Sequence, residues 1–294
     1  MPLLFRLEAT LSKNKAIMTD KEVLNVIRAS MLPKYAKLAK QFVKDYKQIY
    51  ICTEGGNSWR KDKYPFYKAN RAKLNSPFWD AAFHSLLLFE AEIHENVYPV
   101  IKLAKTEADD IIGTLAIEQH KHEKILIVSG DKDFTQLLYY PNIDIYNTNS
   151  DKIVQCQDPV NFLAEQIIRG DASDGIPNIL NPTNILINRD ANGKQIQKQK
   201  SVTKTKLEEL KSVFFKGQLN TTLVSEDRFK INEELIDLHK VPNEHKLGIF
   251  ILYDNLKINY ANHVKPFNYL LYSNSKLQVQ DLYGGFDSHV YLNL

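Results

Sequence analysis

The sequence predicts an α/β fold: a mainly parallel central sheet with flanking helices, followed by a mostly helical C-terminal part. Three observations carry this. Up to residue 150, short apolar runs alternate with segments of helical period. Within them, residues 124–128 (KILIV) are almost continuously apolar, as a strand buried on both faces requires. From residue 159 onward the apolar spacing is helical.

The elements follow in order. Val23, Leu24, Ile27, Met31, Leu38, Phe42 and Tyr46 recur at helical spacing, so residues 20–48 read as one long amphipathic helix. Thr19 or Asp20 can cap it, Glu22 can close a capping box, and Pro33 is a point of kinking or interruption. Residues 48–52 (QIYIC) read as a short strand and residues 54–57 (EGGN) as a loop. Residues 59–75 are basic and aromatic, and residues 78–96 form a second helix. A third helix is expected over 107–120, a short one over 134–138, and a strand over 143–146. Residues 159–169 form a helix that Gly170 closes. Residues 181–201, rich in Asn, Gln and Lys, read as a flexible insertion. The expected division is an α/β domain over 1–180 and a helical part over 181–294.

Composition removes several classes. With 294 residues, 44% hydrophobic and 25% charged, the chain has the balance of an ordinary soluble protein. No run of about 18 apolar residues exists, so no membrane span is expected. The N-terminal residues lack the small-residue cleavage site of a secretion signal. Cys52 and Cys156 make neither a disulfide framework nor a Cys-rich zinc pattern, which points to a reducing cytoplasm.

The net charge of +3 hides an uneven distribution. Residues 34–73 hold eleven Lys/Arg against three Asp/Glu, and residues 175–232 hold ten against five. Residues 107–174 hold five against thirteen. Basic segments suit a polyanion, and a concentrated acidic block suits hard metal cations.

Four constellations lie in these blocks. Glu107-Ala108-Asp109-Asp110 starts a helix, with Glu107 and Asp110 on one face; helix capping alone would also place acids there. Ser129-Gly130-Asp131-Lys132-Asp133 follows the KILIV strand, where ligands of open α/β sheets bind; an Asp turn and N-cap is the simpler alternative. Asp171 and Asp174 flank a tight turn after Gly170, and an Asx turn would serve as well. Arg60 and Lys61, then Tyr67, Lys68 and Arg71, interleave cations with aromatics, as suits a phosphate backbone with bases stacked nearby.

Together, and in this order, WRKDKYPFYKANR, EADDIIGTLA, VSGDKDFTQL and GDASDGIPNI resemble the structure-specific 5′ nucleases. That family comprises flap endonucleases, the 5′-nuclease domain of bacterial DNA polymerase I and phage 5′–3′ exonucleases. Overall length and RFKINEELIDLHKVPNEH resemble its T-even phage members. The resemblance implies a PIN-like core, a helical arch region and a helix–turn–helix-like DNA-binding element. It implies a metal-dependent 5′–3′ exonuclease or flap endonuclease, acting near 5′ ends of duplex DNA or RNA–DNA, as in primer removal during replication. Two Mg2+ ions are implied, with Mn2+ as a substitute, and K+ at the helix–turn–helix-like element.

By motif match, Glu54, Glu107, Asp109, Asp110, Asp131, Asp133, Asp171 and Asp174 are the expected metal ligands. Lys68, Arg71, Glu107, Asp110, Asp131 and Asp133 are the expected catalytic set. DNA would meet Arg60, Lys61, Tyr67, Lys68, Arg71, Gly175, Asn178, Lys200, Lys204 and Lys206, with Tyr67 stacking on a terminal base. Branched or nicked duplex DNA and RNA–DNA hybrid are the implied partners. A single-strand-binding protein and a sliding clamp join them, around a monomer in the host cytoplasm. Two positions depart from the family pattern. The aspartate ending the family's first strand is not found in MPLLFRLEATLSK, so that strand is expected to be missing or truncated. Glu54 stands where the family has an aspartate. The alternative is therefore a weakened or N-terminally truncated relative that binds branched DNA without efficient cleavage.

Overall fold

The structure, a computed structural model, describes residue 8 and residues 18–42, 44–46, 48–71, 76–188, 190, 195–215 and 226–259. In chain order the elements begin with α1 (Asp20–Phe42), β1 (Ile51–Cys52), α2 (Trp59–Lys63), α3 (Pro77–Asn96), β2 (Val100–Ile101), α4 (Ala108–Gln119) and β3 (Ile125–Val128). A 3-10 helix (Lys132–Tyr139), β4 (Ile143–Asn147), β5 (Lys152–Ile153), α5 (Pro159–Arg169) and a 3-10 turn (Ala172–Asp174) follow. The last elements are α6 (Lys204–Phe215), α7 (Glu226–Ile236), a 3-10 turn (Leu238–Lys240) and α8 (Asn243–Ile258). Most of MPLLFRLEATLSK, where the family's first strand was not found, and residues 260–294 lie outside the described residues.

The chain divides into two compact units, one from Met1–Ile51, Lys73–Ile101 and Tyr253–Leu294, the other from Cys52–Ala72 and Lys102–Leu252. The division expected at residue 180 falls inside the second unit. There α5 contributes Ile167 and Ile168 to one core with Leu207 and Leu210 of α6 and Phe229 and Leu235 of α7.

In the first unit, Thr19 and Glu22 form the expected capping box: the Thr19 N–H donates to Glu22 Oε2 (2.8 Å) and the Glu22 N–H to Thr19 Oγ1 (3.4 Å). Pro33 lies inside α1 without ending it, and the helix stops at Phe42, short of the expected Gln48. Val23, Ile27, Leu32 and Ala36 of α1 pack on Trp79, Ala82, Phe89 and Ile93 of α3. Ser76 caps α3 and Pro77 occupies its first turn, where a missing N–H costs nothing. The strand expected over QIYIC shortens to Ile51–Cys52, whose Ile51 N–H donates to the Pro99 carbonyl (2.9 Å).

In the second unit, β3 and β4 are parallel, with Ile125 opposite Ile143, and β5 adds antiparallel, with Ile153 opposite Tyr146. Among the described residues this is a small mixed sheet, where a mainly parallel one was expected. The Asn147 side chain accepts from the Asn149 and Ser150 N–H groups, and Asp151 takes a positive φ of 59°, which reverses the chain tightly into β5. Ile127, Phe134, Leu137, Ile143 and Ile145 bury the sheet face. Asp158 caps α5 by accepting from the Asn161 N–H (2.8 Å), and Gly170 closes it at φ 64°. The expected flexible insertion is tied down where it is described. Asn178 donates to the Lys200 carbonyl (2.8 Å), the Lys200 N–H to Asn181 Oδ1 (2.8 Å), and Gln195 to the Ile185 carbonyl (3.0 Å).

Candidate active site

All the described acids of the site belong to the second unit. Three chain reversals bring them to one cleft. Glu107 is the N-cap of α4, and its carboxylate and that of Asp110 satisfy each other's backbone N–H groups in a capping box. Asp131 caps the 3-10 helix after β3 by accepting from the Asp133 N–H (2.9 Å). Asp171 opens the turn after α5, accepting from the Ser173 N–H (2.8 Å) and hydroxyl (2.6 Å). The capping roles weighed from sequence are thus real, and they aim Glu107, Asp109, Asp133, Asp171 and Asp174 at one cleft. Arg60, Tyr67, Ile176, Leu235, Ile236 and Leu238 line it as well.

The cleft has two ends of different electrostatic character. At the Glu107 end, cations compensate the acids. Arg60 is only 3% exposed. Its Nη1 donates to Glu107 Oε2 and Asp110 Oδ2 (both 2.9 Å), its Nη2 pairs with Asp110 Oδ1 (2.8 Å), and its Nε donates to the Leu235 carbonyl (2.8 Å). The Trp59 indole N–H adds a bond to Asp110 Oδ2 (2.9 Å), and the guanidinium lies 4.6 Å from the centre of the Trp59 ring. Burial alone would raise the Glu107 pKa, but Arg60 and Lys68 overcome it and hold the carboxyl below its ordinary range. Lys68 ion-pairs with Glu107 Oε1 and lies 3.9 Å from Asp174 Oδ2, and Arg71 pairs with Asp174 Oδ1. The Tyr67 hydroxyl stands 2.8 Å from Glu107 Oε2 and 3.0 Å from Asp174 Oδ2, and it donates its one proton to either.

At the other end, like charges dominate. Burial, then Asp131 and Glu107, raise the Asp109 pKa to about 7. Burial and Asp131 raise Asp133 to about 6, against a hydrogen bond of 2.5 Å from Gln166 Nε2. Asp171 is lowered: the Ser173 hydrogen bonds outweigh its burial. Among the described residues no three metal-binding side chains are drawn together into a cage by themselves. The donor set is nevertheless all carboxylate, as hard divalent cations require. Asp109 accepts no hydrogen bond among the described residues, and mutual repulsion is what added positive charge would relieve. The residues therefore fit a divalent metal.

Several expectations need correction. Asp110 is fully buried and does not line the cleft: its Oδ2 accepts from Trp59 and Arg60, and its Oδ1 lies 2.8 Å from Arg60 Nη2, so in this structure it supports Arg60. Arg60 is buried on those acids and cannot meet DNA. Tyr67, 3% exposed, has no free face for a terminal base. Asn178 is buried, with its amide holding Lys200, Leu180 and Asn181. Gly175 is buried at φ 74°, where an added Cβ would stand 2.6 Å from the Phe66 carbonyl oxygen. Glu54 is exposed and does not line the cleft. Arg71, Lys61, Lys200 and Lys204 are exposed, and Lys206 pairs with Glu209 (2.9 Å). Gln166 and the apolar Leu235, Ile236 and Leu238 were not among the expected site residues, because an amide and aliphatic side chains carry no signal for metal or phosphate in the sequence.

An acidic cleft beside a cationic segment thus lies on a mixed α/β fold. The model of the 5′–3′ exonuclease N-terminal resolvase-like domain matches residues 3–165, more than half of the chain, and the chain belongs to that family. Ribonuclease H of Enterobacteria phage T4 is 27% identical over 228 residues, which cover 72% of each protein. The flap endonuclease Xni of Shewanella sp. strain MR-4 is 36% identical over 132 residues, 42% of this chain and 48% of that protein. Among solved structures, the T5 D15 protein co-crystallized with metal ions aligns at a TM-score of 0.53 and 17% identity, covering 87% of this chain and 96% of that one. The T5 5′-exonuclease with bound zinc aligns at 0.52 and 18%, with the same coverage. At these identities the likeness is one of fold.

Proposed function

We propose that the chain is a divalent-metal-dependent 5′–3′ exonuclease and flap endonuclease. Its substrate would be duplex DNA or RNA–DNA, hydrolysed near a 5′ end, as in removal of RNA primers. The observation that carries this is the two-ended cleft: acids left short of positive charge around Asp109 and Asp133, next to the Lys68–Arg71 cations. Glu107, Asp109, Asp131, Asp133, Asp171 and Asp174 would hold the metal. Magnesium, bound there, supplies an activated water and charge stabilisation at the scissile phosphate.

The chain's own groups do the rest. Arg60 and Tyr67 fix the Glu107 carboxylate through Oε2, so its other oxygen, which Lys68 engages, has one direction. Gln166 fixes Asp133. Lys68 and Arg71 offer the cations that a phosphate diester needs on its non-bridging oxygens. Uncut duplex is assigned to the exposed Lys200 and Lys204, with Lys206, beyond the Gly175–Asn178 turn. K+ at that turn belongs to the same reading. A labelled 5′-flap duplex and a nicked RNA–DNA hybrid, each with Mg2+, Mn2+ or EDTA, test it. Short 5′ products are expected with metal and not with EDTA or with Asp131→Ala. Equal cleavage by Asp131→Ala would refute it.

A further inference from the structure

Glu107 is held from two sides by unlike cations. Its Oε2 is engaged by Arg60 and by the Tyr67 hydroxyl. Arg60 is also tied to Asp110 and Leu235, and it is buried, so it has nowhere else to go. Oε1 is engaged by Lys68. That contact is of another kind. The Lys68 side chain is 19% exposed, and its ammonium is a single point charge on a flexible stem. Its other contacts at the site are loose: 3.9 Å to Asp174 and 4.9 Å to the centre of the Tyr67 ring. The backbone makes the inward pose possible. Lys68 has a positive φ of 55°, and its N–H donates to the Asp174 carbonyl (2.7 Å), which fixes the stem beside the cleft.

We propose that Lys68 is an exchangeable place-holder for the divalent cation at Glu107 Oε1, so that metal loading and release of the Lys68 ammonium are one coupled event. This rests on the metal-dependent reading above. One oxygen cannot serve both cations at full strength, and Arg60 leaves the metal no other oxygen of Glu107. Before loading, Lys68 offsets the Glu107 charge and keeps the acidic cleft from being opened by its own repulsion. After loading, the ammonium is displaced toward solvent, where a phosphate can take it. The phosphate-binding cation is thus offered only by a protein that already holds metal.

The test uses DNA-free full-length protein and MnCl2 alone. Calorimetric titration of Lys68→Met is expected to show Mn2+ binding about fivefold tighter than wild type, since a partly buried competing ion pair is removed. Lys68→Arg, which keeps a cation there, is expected to stay near wild type, and Lys61→Met, an exposed control, to change nothing. A second readout needs no variant. Amine-reactive labelling of the wild type, quantified by mass spectrometry, is expected to rise severalfold at Lys68 on adding Mn2+ and to stay level at Lys204. Unchanged or weaker Mn2+ binding by Lys68→Met, or Lys68 labelling that stays flat or falls on loading, overturns the coupling. Failure of the wild type to bind Mn2+ at all would instead remove the metal-dependent reading together with it.

Discussion

Asp109 gives the sharpest quantitative test. Its carboxyl sits half-buried beside Asp131 and Glu107, and its pKa rises from 3.8 to about 7. The sign follows directly. The folded carboxyl binds its proton more tightly than the unfolded one, so its ionisation opposes folding above pH 7, and the penalty fades as pH falls toward 4. Three units at about 1.4 kcal/mol each set a ceiling of about 4 kcal/mol. Asp131 is exposed and can turn away, so Asp109→Asn should stabilise the EDTA-treated protein by about 1–2 kcal/mol at pH 8. At pH 5 the gain should shrink by more than half, because most of the wild-type carboxyl is by then neutral. Urea unfolding at both pH values, with EDTA throughout, measures it. Saturating Mg2+ at pH 8 should reverse the order, since the wild type gains binding energy that the variant lacks. A variant no more stable than wild type at pH 8, or a gain equal at both pH values, would refute the assignment of strain to this carboxylate.

Other expectations follow from the supports of the site. Arg60→Ala leaves Glu107 and Asp110 buried without their cation and should cost about 3–5 kcal/mol in urea unfolding. Arg60→Lys, with one donor point for three acceptors, should recover less than half of that. Gln166→Leu removes the amide that lowers the Asp133 pKa, so Mn2+ affinity measured at pH 6 should fall more than at pH 8. Gly175→Ala forces a Cβ to within 2.6 Å of the Phe66 carbonyl oxygen at a φ of 74°, and a loss of about 1–3 kcal/mol in thermal unfolding is expected.

Locally encoded features were legible in the sequence. The Thr19–Glu22 capping box and the Pro159–Gly170 helix, with its proline start and glycine stop, need only neighbours a few residues away. The acidic motifs were legible for the same reason, since each sits on a turn its own residues make. The segment from Trp59 to Arg71 was not. A stretch of cations and aromatics reads as a surface for DNA, but partners 40 to 175 residues away take Arg60 and Tyr67 inward. Asn178 misled in the same way, because its partner Lys200 lies across a polar segment that looked unattached. The two-residue strands β2 and β5 are too short to carry any period, and their pairing alone creates them.

The bond from Arg60 to the Leu235 carbonyl joins groups 175 residues apart. It bears on the order in which a ribosome delivers the chain. When Asp174 has emerged, every carboxylate of the cleft has been made, yet the carbonyl that anchors Arg60 and the Leu235–Leu238 wall are still to come. A nascent chain at that stage carries the acidic residues without the group that aims Glu107. The proposed nuclease centre is therefore completed late in synthesis, and a chain arrested before Leu235 should leave the cell's own nucleic acid alone.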